Sequence, residues 1–158
     1  MLTELTLARV VHVLAVVLWI GGVAMVTTVL LPAVRRFKDP SEAVAFFEKV
    51  EARFAWQSRI TTLLAGASGF YMLHLLGWQR LLSVHYWWTH AMIAVWLVFT
   101  LMLFVFEPLF LHRWFHERAT RAPHSTFRVI QRLHWGLLTI SLVTVAGAVA
   151  GSHGWFWW

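Results

Sequence analysis

Histidines are the side chains in this sequence most able to do chemistry, and there are nine of them in 158 residues. His12, His74 and His90 lie inside long apolar segments, where an unpaired imidazole costs several kcal/mol. Neutral imidazole binds haem iron, copper and zinc through a ring nitrogen. The sequence contains no cysteine, so a metal site built from its own side chains would depend on histidine, methionine or carboxylate. These three histidines are therefore the first candidate ligands.

The composition predicts that these histidines lie within a membrane. Hydrophobic residues make up 59% of the sequence, charged residues make up 13%, and the mean hydropathy is +0.67. Four apolar segments, at residues 7–31, 54–76, 87–111 and 129–150, each reach the roughly 20 residues that a helix needs to cross a bilayer. We predict an all-α integral membrane protein whose single domain, 1–158, is a four-helix up-and-down bundle.

The connection between the first two predicted spans carries a helix start signal. Asp39 provides an N-cap oxygen, Pro40 suits the first helical position, and Glu42 places an acid in the first turn. Residues 40–53 are amphipathic, with apolar side chains at helical spacing. We expect this segment to be helical, either along the membrane surface or as an extension of the second span.

The distribution of basic residues predicts the orientation in the membrane. All lysines and arginines except Arg9 and Arg80 lie in or beside the first and third connections. By the positive-inside rule, both termini face the periplasm of a bacterial inner membrane. The terminal segment GWFWW and the segment YWW at 86–88 would then form an aromatic belt at the outer interface. Since these charges follow the topology, we expect lipid contacts and no nucleic-acid partner.

Counting depth along the spans brings the three histidines to one level. At about 1.5 Å per residue, His12, His74 and His90 lie roughly 10 to 12 Å outward of their span midpoints. Spans one and three are diagonal in a simple ring order, so His12 and His90 are predicted as axial ligands of one haem b. His74 is the alternate ligand or a donor to a propionate. Gly147, at the same depth, either leaves room for a flat ring or allows close helix packing.

A second polar group is predicted on the inner side of the membrane. It consists of Arg59, Glu107, Arg132 and His134, each roughly 10 to 14 Å inward of its span midpoint. Glu107 precedes Pro108, which weakens the helix at that point. One interpretation is a salt bridge from Glu107 to Arg59 or Arg132 that neutralises costly charges. The other is a proton or quinone site, or a second haem with His134 as a ligand.

The segment HVLAVVLWIGGVAMVTTVLLPAVRR, at residues 12–36, resembles the first helix of CopD-like membrane domains. It has a histidine near its outer end, a tryptophan seven residues later, a Gly-Gly pair, then LP and a basic stop. The four-helix plan with histidines also resembles HemJ-type protoporphyrinogen oxidases and small bacterial b-type cytochromes. CopD-like proteins are linked to copper uptake or tolerance, while HemJ-type proteins bind haem b and oxidise a porphyrinogen. The resemblance implies that His12 is a ligand.

Together, these features predict a membrane-embedded haem b protein. It would transfer electrons between a periplasmic partner or oxidant and the quinone pool, or carry out a haem-linked oxidation; as an enzyme it would be a haem-dependent oxidoreductase. A copper transport or tolerance component with a three-histidine metal site is the first alternative. A membrane anchor subunit of a larger complex, with its tryptophan-rich surface as the interface, is the second.

Overall fold

A computed structural model describes residues 2–155 of the chain, apart from the side chain of His112. Trp157 and Trp158, which belong to the predicted aromatic belt, lie outside the described residues. From residue 2 to residue 155 the chain forms helices and short connections, with no strand. The predicted all-α class is confirmed.

Long helices account for most of the fold. The α-helices are α1 Leu2–Met25, α2 Leu31–Val34, α3 Pro40–Leu76, α4 Trp87–Leu101, α5 His112–Arg121 and α6 Pro123–Ser152. A first π-helical segment, Val26–Leu30, joins α1 to α2, and a second, Met102–Leu111, joins α4 to α5. The 3-10 helices Trp78–Leu82 and Val84–Tyr86 form the connection between α3 and α4.

Three continuous helical stretches within the described part of the chain are long and apolar enough to cross a membrane. They are Leu2–Val34, Val84–Leu111 and Pro123–Ser152, and they contain the first, third and fourth predicted spans. This finding is consistent with a multi-pass membrane protein that contacts lipid. The second predicted span, 54–76, lies within α3, whose apolar character is reduced by side chains such as Gln57, Arg59 and Thr62.

The start of α3 has the capping geometry that its sequence predicts. The Asp39 carboxylate accepts hydrogen bonds from the backbone N–H and the hydroxyl of Ser41, each at 2.8 Å, and Pro40 is the first helical residue. The backbone hydrogen bond from Ser41 holds the pKa of the Asp39 carboxyl below its ordinary value. From this cap α3 continues as one helix of 37 residues, so the amphipathic segment 40–53 runs on into 54–76.

The buried core consists of two clusters along the length of the helices. At the basic end, the rings of Phe47, Phe115 and Phe127 pack together with centroid distances of 5.2 to 5.9 Å. In the middle, the ring of Trp19 packs edge-on against Phe99 at 4.8 Å, among residues of α1, α3, α4 and α6. These two clusters hold the long helices side by side.

Helical glycines allow aromatic rings to approach the backbone of a neighbouring helix. A Cβ atom placed on Gly22 in α1 would collide with the ring of Phe54 in α3. A Cβ atom on Gly66 would lie 2.5 Å from Nε1 of Trp96, which donates to the carbonyl of Thr62 at 2.9 Å. Any larger side chain at either glycine must displace a packed ring.

We expect Gly22→Ala to destabilise the protein by about 1 to 3 kcal/mol, because its methyl group collides with the Phe54 ring. Gly21→Ala is the matched control, since a Cβ atom there meets no described atom within 4 Å. Because alanine is a better helix former than glycine by about 1 kcal/mol, Gly21→Ala is not expected to destabilise the protein. Thermal unfolding in detergent, followed by circular dichroism, measures both variants. Equal stability of the two would contradict this packing.

The first π-helical segment leaves a backbone carbonyl without a backbone donor. The N–H of Leu31 donates to the carbonyl of Val26, five residues earlier. The next donor in this register would be residue 32, which is a proline and has no N–H. The carbonyl of Thr27 is therefore left over, and the side chain of Gln131 in α6 donates to it through Nε2 at 3.3 Å. A side chain from another helix thus satisfies the orphaned carbonyl.

The second π-helical segment has the same arrangement. Pro108 lies five residues after Leu103, so it cannot donate to the Leu103 carbonyl in π-helical register. Nε of Arg59 in α3 donates to that carbonyl at 3.1 Å. A proline thus lies just after the first π-helical segment and inside the second, and each segment is tied to another helix by a polar side chain.

Candidate functional site

His12 lies in α1 with its ring against the backbone of α3. Its Nδ1 atom is 2.9 Å from the carbonyl oxygen of Ala65 and 3.2 Å from Oγ of Ser68. Gly69 makes room for the ring, because a Cβ atom at Gly69 would lie 3.2 Å from Cε1 of His12. With its Nδ1–H donated to the Ala65 carbonyl, the imidazole keeps its lone pair on Nε2. Histidines that bind metals through Nε2 are commonly oriented by this kind of hydrogen bond.

His90 lies in the first turn of α4 and is exposed. Its Nε2 atom is 3.0 Å from the carbonyl oxygen of Leu81, and its Nδ1 atom is 3.2 Å from that of Tyr86. Leu81 belongs to the connection between α3 and α4, so the ring ties this connection to the start of α4. Because both ring nitrogens face backbone carbonyls, His90 presents no free nitrogen to a metal in this arrangement.

His74 lies near the end of α3, is exposed, and has its ring centroid 6.5 Å from that of Trp78. It follows Gly69 by five residues, which at about 3.6 residues per turn places it on another side of α3 from the side that His12 contacts. Among residues 2–155, no group of three His, Asp or Glu side chains is arranged to hold a metal ion. The structure does not bring the three histidines into one cluster, and their role as ligands stays a prediction.

Gly147 in α6 faces the first turn of α4. A Cβ atom at Gly147 would collide with the ring of Trp87, and one at Gly151 would lie 2.5 Å from the ring of Trp88. The flat groups that these glycines accommodate in the structure are therefore indole rings. This is the close helix packing that the sequence offers as one of two interpretations.

Three of the four inner polar residues have polar contacts in the structure: two form an ion pair, and one contacts a backbone carbonyl. Arg59 forms an ion pair with Glu107, and the two side chains are 28% and 21% exposed. This salt bridge is one of the two interpretations that the sequence allows. Nδ1 of His134 lies 3.0 Å from the carbonyl oxygen of Ile130, within the same helix. Arg132 is exposed.

A cavity of about 180 Å³ lies between α1, α3, α6 and the helical stretch formed by α4 and the second π-helical segment. Its wall is mainly apolar, with side chains such as Val23, Phe99 and Leu137. Glu107 and His134 also line it, so two of the four predicted inner residues meet at one cavity. Arg59 reaches it through its ion pair with Glu107, whereas Arg132 is not part of the wall.

Two residues of the cavity wall each carry a buried donor atom that has no hydrogen-bond partner among the described residues. These atoms are Nε1 of Trp19 and Oγ of Ser58, on side chains that are 4% and 2% exposed. An unsatisfied buried polar group costs about 1–3 kcal/mol, so such groups are uncommon without a role or a water partner. Neither residue is among the site residues predicted from the sequence. The available signal is weak: Ser58 shares a helix face with Ala55, Thr62 and Ala65.

Comparison with protein-family models gives no match for this chain, and comparisons with curated proteins and solved structures give no significant match. The class of protein is therefore defined by its own features. It is an all-α protein with three described helices that are long and apolar enough to cross a membrane.

Proposed function

We propose that the chain is a four-helix protein of the bacterial inner membrane, with α3 as the remaining span and both termini in the periplasm. The length of α3 and its packing along α1 support this assignment. Arg59, the charged residue of α3 at membrane depth, is paired with Glu107, which lowers the cost of placing it in lipid. The predicted orientation rests on the concentration of lysine and arginine in the first and third connections.

We propose further that this protein binds haem b, with His12 as an axial ligand. The observation that carries this proposal is the hydrogen bond from Nδ1 of His12 to the carbonyl of Ala65, which leaves Nε2 available for iron. Ala65 and Gly69 hold the ring in place from α3. His90 becomes a second ligand only if it gives up its contacts with Leu81 and Tyr86.

Bound haem would supply one-electron redox chemistry, and the chain would hold and orient it. If His74 or His90 held the haem together with His12, electron transfer between a periplasmic partner and the quinone pool would be favoured. If His12 were the one histidine holding the haem, a haem-linked oxidation would be favoured. Both functions belong to a membrane oxidoreductase.

The absorption spectrum of the full-length protein, purified in detergent from cells with ample haem supply, tests this proposal. We expect a sharp Soret band, and α and β bands after reduction, at one haem per chain. Stoichiometric copper without haem would support the copper transport or tolerance function instead. Protein with neither haem nor copper would overturn the proposed redox function.

A further inference from the structure

We propose that the cavity between α1, α3, α4 and α6 binds the headgroup of a quinone. Trp19 and Ser58 would donate hydrogen bonds to its carbonyl oxygens. The inference gives the proposed electron transfer a site for its quinone partner, and the redox role of this site rests on the proposed function. Binding itself requires only the cavity, so it is measurable whether or not haem is present.

The size and lining of the cavity suit one flat apolar ring. Its volume of about 180 Å³ is below the roughly 300 Å³ at which pockets for drug-sized ligands begin, so it is too small for a macrocycle. Val23, Phe99 and Leu137 provide apolar contacts. The helices around the cavity include the three that are long and apolar enough to cross a membrane, which favours a ligand that dissolves in lipid.

The unpartnered donors match the chemistry of a quinone, whose two carbonyl oxygens only accept hydrogen bonds. Trp19 offers an N–H that can only donate. Ser58 is unusual among the helical hydroxyls: those of Thr27, Ser141 and Thr144 donate to the carbonyl four residues earlier, at 2.6 to 2.8 Å. Ser58 makes no such bond. Its hydroxyl hydrogen is therefore uncommitted in a residue of the cavity wall, and a small rotation of the side chain would turn it toward a ligand.

The same cavity also holds acceptors, which a quinol form would need. The carboxylate of Glu107 lines it beside its ion pair with Arg59. His134 lines it too, and its Nδ1 is occupied by the carbonyl of Ile130, so Nε2 can accept a hydrogen bond. Donors and acceptors thus share one apolar site. This combination suits a ligand that exchanges carbonyl oxygens for hydroxyl groups.

Binding of menadione, a quinone without a long tail, to the purified full-length protein in detergent tests the proposal. Equilibrium dialysis against matched detergent micelles corrects for partition of menadione into detergent. We expect Ser58→Ala and Trp19→Phe each to weaken binding about fivefold to tenfold, because each removes one hydrogen-bond donor. Thr62→Val is the matched control. It removes another buried hydroxyl without a described partner, but Thr62 does not line the cavity, so binding is expected to be unchanged.

A cavity-filling variant keeps the test informative if a donor variant does not fold. Ala55→Leu retains both donors and is expected to exclude menadione, because Ala55 is buried in the cavity wall. No binding by the unmodified protein, or equal binding by all four variants, overturns the proposal. The haem spectrum of the same preparations separates the two proposals. Haem without menadione binding overturns the cavity assignment alone, and menadione binding without haem overturns the haem function alone.

Discussion

Replacing Arg59 with leucine is expected to destabilise the protein by about 3 kcal/mol, since it removes one partner of a charge pair that is largely shielded from water. The carboxylate of Glu107 would lose its counter-ion, and the carbonyl of Leu103 would lose the donor that replaces the missing N–H of Pro108. In the proposed four-helix arrangement both groups lie within the bilayer, where lipid offers neither a hydrogen bond nor a counter-ion. The variant should therefore unfold at a clearly lower temperature in detergent.

A double variant separates the ion pair from other effects of the substitution. Arg59→Leu combined with Glu107→Leu removes both charges, so it should be more stable than Arg59→Leu alone. Arg132→Leu is the matched control, because this arginine is exposed and its replacement should change stability by less than about 0.5 kcal/mol. Thermal unfolding by circular dichroism measures these three variants and Glu107→Leu alone, which completes the double-mutant cycle. If the effects of the two single substitutions simply add, the ion pair contributes nothing.

His12→Ala is expected to lower the haem content of the purified protein more than about tenfold. Loss of a residue that only orients a metal ligand already costs about this much affinity, and His12 is proposed as the ligand itself. The variant removes Nε2 of the imidazole, whose lone pair is available for iron because Nδ1–H is hydrogen-bonded to the Ala65 carbonyl. The Soret absorbance per unit protein measures the loss. Full haem content in this variant would show that His12 is not a ligand.

His90→Ala provides the comparison for His12→Ala. Its ring nitrogens face the carbonyls of Leu81 and Tyr86, so we expect this variant to keep its haem and lose about 1 kcal/mol of stability. Loss of haem in both variants would support the axial pair that helix depth predicts. In that case the connection containing Leu81 would rearrange when haem binds. Loss of haem in His74→Ala would instead assign the second position to α3.

Much of this fold can be predicted from sequence because its signals are local. Three apolar stretches exceed the length of a bilayer crossing, and Asp39 and Pro40 mark the start of α3 by capping chemistry. The rotation of each helix is not local. α4 has exposed apolar residues as well as buried ones, so no apolar stripe identifies its inward side. The side of α4 on which His90 lies is therefore not indicated by the sequence.

The candidate site was predicted only where a strong chemical signal existed. Arg59 and Glu107 stand out because charges at membrane depth need partners. Trp19 and Ser58 do not, since each is ordinary in a helix and becomes notable only beside a cavity. Helix counting also assumes regular α-helix, whereas the π-helical segments Val26–Leu30 and Met102–Leu111 change the rotation of the residues that follow. Such register changes depend on tertiary contacts.

The hydrogen bond from Gln131 to Thr27 also bears on how the chain is made. A ribosome delivers the first helix to the membrane long before the last one, and these two residues lie 104 positions apart. Until α6 is inserted, Gln131 cannot donate a hydrogen bond to the Thr27 carbonyl. Lipid offers this carbonyl no hydrogen bond either. We expect chains truncated before Gln131 to be degraded rapidly by membrane proteases. Completion of the first helix therefore waits for the insertion of α6.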